Sequence, residues 1–398
     1  MSEFPALLFK LNAPSKHYSW GSKSALTHLF NIPNPQELPL AEVWMGAHPA
    51  GCANLELHEG NVRLDEFIHQ NPLAALGTRW SVQAALPFLF KMLSAQTALS
   101  IQVHPRLDRA QAGFAAENAQ NIPQDAPTRN YRDPNHKPEL IYAVTPFQAL
   151  CGFRPFSEIA TFLKALDLPV LNPALANFMA SPGSETLKAL FTAILSLQGQ
   201  NQTNALATLL AYASTQTAAP FSIIERLAQQ YPGDNGLFMP LLLNTIELRP
   251  GQALFLAAET PHAYLEGTGL EIMANSDNVL RGGLSPKHID IAELTRNVIF
   301  EESTSSTYRV TPVSKGVMQI YPVPVDDFAF ATFVISENRT IFTTHAPEIV
   351  LCMAGTLTLK TEHSEVQLQK GQACFVPAAT QAYVLQGLGT GARVTAAA

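Results

Sequence analysis

A mainly β protein with an α-helical insert is the fold class this sequence predicts, and three observations predict it. Short apolar runs broken by turn-forming clusters fill the chain up to about residue 155 and again from about residue 241. Between them, from Phe156 to about Tyr231, Ala-rich and Leu-rich stretches carry apolar residues at helical spacing. Third, the run from Gly251 to Tyr264, Gly-Gln-Ala-Leu-Phe-Leu-Ala-Ala-Glu-Thr-Pro-His-Ala-Tyr, returns from Gly371 to Tyr383 as Gly-Gln-Ala-Cys-Phe-Val-Pro-Ala-Ala-Thr-Gln-Ala-Tyr, one residue shorter. Such an echo points to two copies of one β-unit.

Taken in order, residues 1 to about 60 suit strands and loops, because Asn-Ala-Pro, Trp20-Gly21, the cluster Asn31 to Pro35 and Ala47-His48-Pro49 interrupt every apolar piece. Leu64, Phe67 and Ile68, then Leu73 and Leu76, give two short helices restarted at Asn71-Pro72. Pro87 to Leu93 reads as a buried strand with one charge, Lys91. Leu99 to His104 reads as a second, with Ser100, Gln102 and His104 on one face. A polar stripe on an apolar strand must meet water, a hydrogen-bond network or a metal, since an unpaired buried polar group costs about 1–3 kcal/mol. The helical module holds four or five helices and no clustered His or Cys, which assigns it a covering role.

Strands then resume. One starts near Thr245, the turn Arg249-Pro250-Gly251 follows, and Ala253 to Ala257 leads to Thr260-Pro261-His262, where another strand begins. The loop from Ala274 to Pro286 is rich in turn formers and sets Arg281 before Gly282 and Gly283, a cation suited to a phosphate or a developing oxyanion. A short helix is expected from Ser285 through Leu294. Nearly everything from Val317 to Val394 reads as strand, but the second copy has Gln381 near the place of His262, so any metal belongs to the first.

The densest chemistry lies from Tyr131 to Leu140, Tyr-Arg-Asp-Pro-Asn-His-Lys-Pro-Glu-Leu, which packs Arg132, Asp133, His136, Lys137 and Glu139 around two prolines just before an apolar run. Each proline fixes its own φ and pushes its predecessor towards extended backbone, giving a stiff lead-in to a strand. Glu139, His104 and His262 thus all sit beside prolines at strand ends. With 47% apolar residues the chain can bury a large core over two or three domains. Only 14% of it is charged, with a net charge of −7, which argues against nucleic acid or a membrane surface as partner and for a small molecule. No apolar run reaches a membrane-spanning length, and Met1 to Lys10 lack a basic stretch followed by an apolar core. A cytoplasmic monomer is expected. Cys52, Cys151, Cys352 and Cys374 are isolated, which suits buried free thiols.

Together Trp20-Gly21, Pro87 to Leu93, Ser100 to Pro105, Tyr131 to Leu140, Pro261 to Tyr264 and Ser276 to Arg281 resemble the type I phosphomannose isomerases along the whole chain. The resemblance implies two jelly-roll (cupin-like) β-barrels plus a helical domain. Residues 1–155 and 241–315 would form the catalytic barrel, 156–240 the helical insert, and 316–398 a C-terminal barrel without a metal site. It also implies one zinc ion per chain on Gln102, His104, Glu139 and His262, a sugar-phosphate substrate, and interconversion of mannose 6-phosphate and fructose 6-phosphate through a cis-enediol. Two imidazoles and a carboxylate suit zinc, and a neutral amide oxygen leaves the metal positive. Arg281 is expected to stabilise charge, followed by Lys137 and Asp277, with His136 as a shuttle. His136, Lys137, Asp277 and Glu271 all stay open as the base. Lys91 and Ser100 are expected at the phosphate, with Trp20 and Glu271 also lining the substrate. Competing readings are a cupin-type oxygenase, because two His and one Glu also suit non-haem iron, and a sugar-phosphate-binding protein without catalysis.

Overall fold

The computed structural model describes residues 5–57, 60–336 and 339–397. The leader-free start expected at Met1 to Lys10 falls partly outside them. Two large antiparallel sheets carry the molecule. The first is organised around the 13-residue strand His262–Ala274. Phe88–Ala95 and Glu139–Ala143 flank it, and Ala253–Leu256 pairs on the far side of Glu139–Ala143. Where His262–Ala274 begins, it instead meets Phe147–Phe153 and Gln102. The second sheet runs from Val313–Lys315 through Ala329–Ser336, Ala382–Thr395 and Glu348–Lys360 to Ala373–Val376.

That second sheet does not stop at the C-terminal segment. Phe9–Asn12 joins it by pairing Phe9 with Phe375 and Leu11 with Ala373, and Asn54–Leu57 and Gly60–Arg63 extend it. The chain start and the chain end therefore share one sheet, and Phe67, Phe88, Phe90, Phe330 and Phe375 fill one core between the two. Each such side chain contributes about 1.5–3 kcal/mol on burial.

The insert forms five α-helices, Phe156–Lys164, Ala174–Ala180, Ser184–Leu195, Gly199–Ala213 and Phe221–Gln230. Leu187, Leu190, Phe191 and Ile194 face inward together, as their spacing dictates. Among the described residues no helix is long and apolar enough to cross a membrane.

Four elements add to or differ from the sequence expectation. A six-residue helix at Ala25–Phe30 stands in the stretch read as suiting strands and loops better than long helices. Leu107–Ala119 is a 13-residue helix without an apolar stripe, burying only Ala110 and Glu117, so periodicity gives no sign of it. Of Leu99 to His104 only Gln102–Val103 is strand, because Leu99 bonds to Tyr264 while Ile101 bonds to Gly283. The helix expected from Ser285 spans Ile291–Arg296, started by Asp290, whose carboxylate accepts the Glu293 N–H.

Candidate active site

Strand register brings the predicted residues together. Along His262–Ala274, His262 lies opposite Gln102, Glu271 opposite Lys91, and Met273 opposite Glu139. Glu117, on the helix missed by sequence, accepts the N–H groups of Asn130 and Tyr131 at 2.9 and 2.8 Å and so fixes the start of the charged stretch.

His104, Glu139 and His262 form a buried cluster whose ligand atoms lie within 4.8 Å of one another. Nδ1 of His104 lies 2.7 Å from the Asn278 carbonyl, and Nδ1 of His262 lies 2.9 Å from the Thr260 carbonyl. A carbonyl only accepts, so both Nδ1 atoms carry the proton and both Nε2 lone pairs face inward. They meet the Glu139 carboxylate at 3.4 and 3.3 Å. Nε2 of His104 has no hydrogen-bond partner. Burial pushes His104 down to about 4, which keeps it neutral. Burial alone would raise Glu139, but its neighbours, the Lys137 ammonium among them, hold it well below the usual carboxylate range. Lone pairs facing a carboxylate repel it unless a cation stands between them, and two imidazoles with one carboxylate are a zinc donor set. The residues fit the metal.

A cavity of about 1640 Å³ opens beside this cluster, lined by Trp20, Ser100, Gln102, Lys137, Tyr264 and Arg281, with Lys91, Glu139, His262, Glu271 and Asp277. Tyr264 is buried in the cavity wall. His136 is not brought there: its Nε2 meets Asp327 at 2.9 Å, on the side of the C-terminal segment. Ser100 reaches the cavity from irregular backbone rather than from a strand.

Lys91, expected at the phosphate, stands between carboxylates. Its ammonium is buried 2.8 Å from Glu271 and 3.6 Å from Glu42, beside the Trp44 ring, so a phosphate there would meet two carboxylates. These neighbours keep Lys91 protonated despite burial. Burial raises Glu271, and the opposing charge of Lys91 does not reverse it. Burial also favours a neutral Asp277, yet the hydrogen bond and charge of His48, 3.4 Å away, together with Lys137 and Lys91, lower it.

Free positive charge lies elsewhere. Burial and the neighbouring Arg132 depress Arg281, and burial with the charges of Arg281 and Arg132 depresses Lys287, so three cations crowd one end of the cavity. Among the described residues none of the three has an ion-pair partner. Sequence reasoning passed over Arg132 and Lys287 in this role, and gave Glu42 and His48 no part in the site. The spacing Arg281-Gly-Gly-Leu-Ser-Pro-Lys287, two cations across a glycine-containing turn, is the signal that could have found one of them.

Fold and site define a two-barrel β protein with an enzyme-like cavity and a buried cluster built for a metal ion. Models of the phosphomannose isomerase type I catalytic domain match residues 8–156, of its helical insertion domain residues 171–243, and of the mannose-6-phosphate isomerase cupin domain residues 318–396. The mannose-6-phosphate isomerase of Escherichia coli (strain K12) is 45% identical over 387 residues, 97% of this chain and 98% of that one. The Homo sapiens mannose-6-phosphate isomerase is 34% identical over 408 residues, 93% of each chain. A solved zinc-bound holo form of mannose 6-phosphate isomerase superposes with a TM-score of 0.93 at 44% identity, covering 98% of this chain and 100% of the other. The chain belongs to the type I phosphomannose isomerase family.

Proposed function

We propose that this chain interconverts mannose 6-phosphate and fructose 6-phosphate with one zinc ion held by His104, Glu139 and His262, and by Gln102 from the strand beside His262. The observation that carries the reading is the pair of inward Nε2 lone pairs, locked by backbone carbonyls and aimed at Glu139 beside a cavity with three unpaired cations at one end. The bound ion would supply a Lewis acid towards the sugar oxygens.

Arg281, Lys287 and Arg132 take the phosphate, because a dianion settles where cations lack partners. The other end of the sugar then lies towards the cluster. Glu271 acts as the base: it lines the cavity, and burial lifts it towards working pH, which favours proton transfer. Its carboxylate removes the proton from C2 as O1 gains one, leaving a cis-enediol, and returns its proton to C1 as the O2 hydroxyl gives up its own. Lys91 holds Glu271 in place at 2.8 Å. Asp277, kept ionised, and Lys137 face the sugar hydroxyls and exchange their protons.

Residues 1–155 and 241–315 supply this chemistry, while Gln229 to Asp234 of the insert close one side of the cavity. Four free, buried cysteines suit a cytoplasmic setting. The test is turnover of mannose 6-phosphate by the zinc-loaded protein, coupled to detection of fructose 6-phosphate. Turnover in both directions is expected, and its absence in folded, zinc-loaded protein would overturn the assignment.

A further inference from the structure

We infer that Asn278 is a positioning residue that ties the two halves of the metal cluster to one frame, an inference that rests on the zinc reading above. Glu139 and Lys137 arrive on the segment 131–140, whereas His104, Asp277 and Arg281 belong to other strands and loops. Asn278 is fully buried and touches both halves. Its Oδ1 accepts the N–H groups of Arg132 and Asp133 at 2.7 and 3.3 Å. Its Nδ2 donates to the carbonyls of Asp133 and Asn135 at 2.7 and 2.9 Å and shares the Asp133 carboxylate at 3.2 Å. Its own carbonyl accepts the Nδ1 proton of His104 at 2.7 Å.

Asp133 returns the grip. Its Oδ2 accepts the Asp277 N–H at 2.6 Å, and its Oδ1 accepts the Ser276 hydroxyl at 2.8 Å and the Asn135 N–H at 2.9 Å. This clasp uses both the donors and the acceptor of one short amide, which neither Asp nor Leu can supply. Through it the side chain of Asn278 fixes where its own carbonyl lies, and that carbonyl fixes the tautomer and ring direction of His104. Partners of this kind typically alter metal affinity about 10–100-fold.

Zinc affinity, measured by competition with a chelating indicator, and the visible spectrum of the cobalt-substituted protein test this. Asn278→Asp turns the two N–H donors into an acceptor facing three oxygens. It is compared with wild type and with Thr344→Ala, which removes a buried hydroxyl bond to Ala346 far from the cluster. The expected result is a 10–100-fold loss of zinc affinity and a shifted cobalt spectrum in Asn278→Asp, with both unchanged in Thr344→Ala. A folded Asn278→Asp with wild-type affinity and spectrum would overturn the inference. Should that variant not fold, Asp133→Asn, which sets an amide N–H against the Asp277 N–H, is read by the same criterion. If wild type itself binds no zinc, the zinc reading fails instead.

Discussion

The two copies of the β-unit share a backbone and differ in how they treat buried polar groups. Each opens with a left-handed glycine, Gly251 at φ 89° and Gly371 at φ 84°, continues through Ala253–Leu256 or Ala373–Val376, and ends in a long strand, His262–Ala274 or Ala382–Thr395. In the second copy the buried carboxylate of Glu348 is fully engaged by Arg393, which bonds to both oxygens, and by the Tyr383 hydroxyl at 3.1 Å. Beside the first copy, Nε2 of His104, facing His262, has no hydrogen-bond partner among the described residues. Buried polar groups are ordinarily paired, so a cluster left open inside a well-built core marks where a ligand completes it. One copy is closed for stability and the other is left open for chemistry. At the corresponding bend, Gln381 is exposed where His262 is buried.

The sharpest way to break this comparison is to neutralise one carboxylate in each copy's barrel. Glu139→Gln should lower turnover by more than about a hundredfold while the protein stays folded, because it replaces the one anionic ligand with a neutral amide. Glu348→Gln should do the reverse. It leaves the partly buried Arg393 without its charge partner, a loss of about 1–3 kcal/mol, read as the denaturant midpoint, with turnover per folded molecule unchanged.

Within the open copy, Glu271→Gln should cut kcat by about 10²–10⁴-fold with zinc content intact. The pH profile of kcat/KM carries the same signature. With Glu271 as the proposed base, the active form is unprotonated and burial raises its pKa, so activity is lost as pH falls through a value above the ordinary 4.5. Lys287→Ala should raise KM about 10-fold with kcat nearly unchanged, since a phosphate contact is made equally in ground and transition states. Smallest of all, Gln381→Ala should change turnover by less than about twofold, as expected of an exposed position outside the cluster.

Much of this was legible in the chain. Proline beside His104, His262 and Glu139 marked stiff strand ends, and the Gly251 and Gly371 echo marked the repeated unit, because both signals are local. What stayed hidden was long-range. Nothing near Phe9 announces that it will pair with Phe375, and Lys91 reads as a free cation until Glu42 and Glu271 arrive from other strands. His136 sits between two functional residues in sequence, yet it turns towards Asp327, 191 positions away. The helix Leu107–Ala119 escaped for a different reason: its buried side is Ala110 and a hydrogen-bonding Glu117, not an apolar stripe.

The central claim is that one zinc ion, held by His262 of the open copy together with Gln102, His104 and Glu139, is required for isomerisation. It is tested most directly by counting zinc and measuring mannose 6-phosphate turnover in the same sample, as purified, after chelation, and after titration with zinc. The account predicts one zinc per chain, loss of turnover on stripping, and recovery that saturates at one equivalent. Undiminished turnover in fully stripped protein would contradict it.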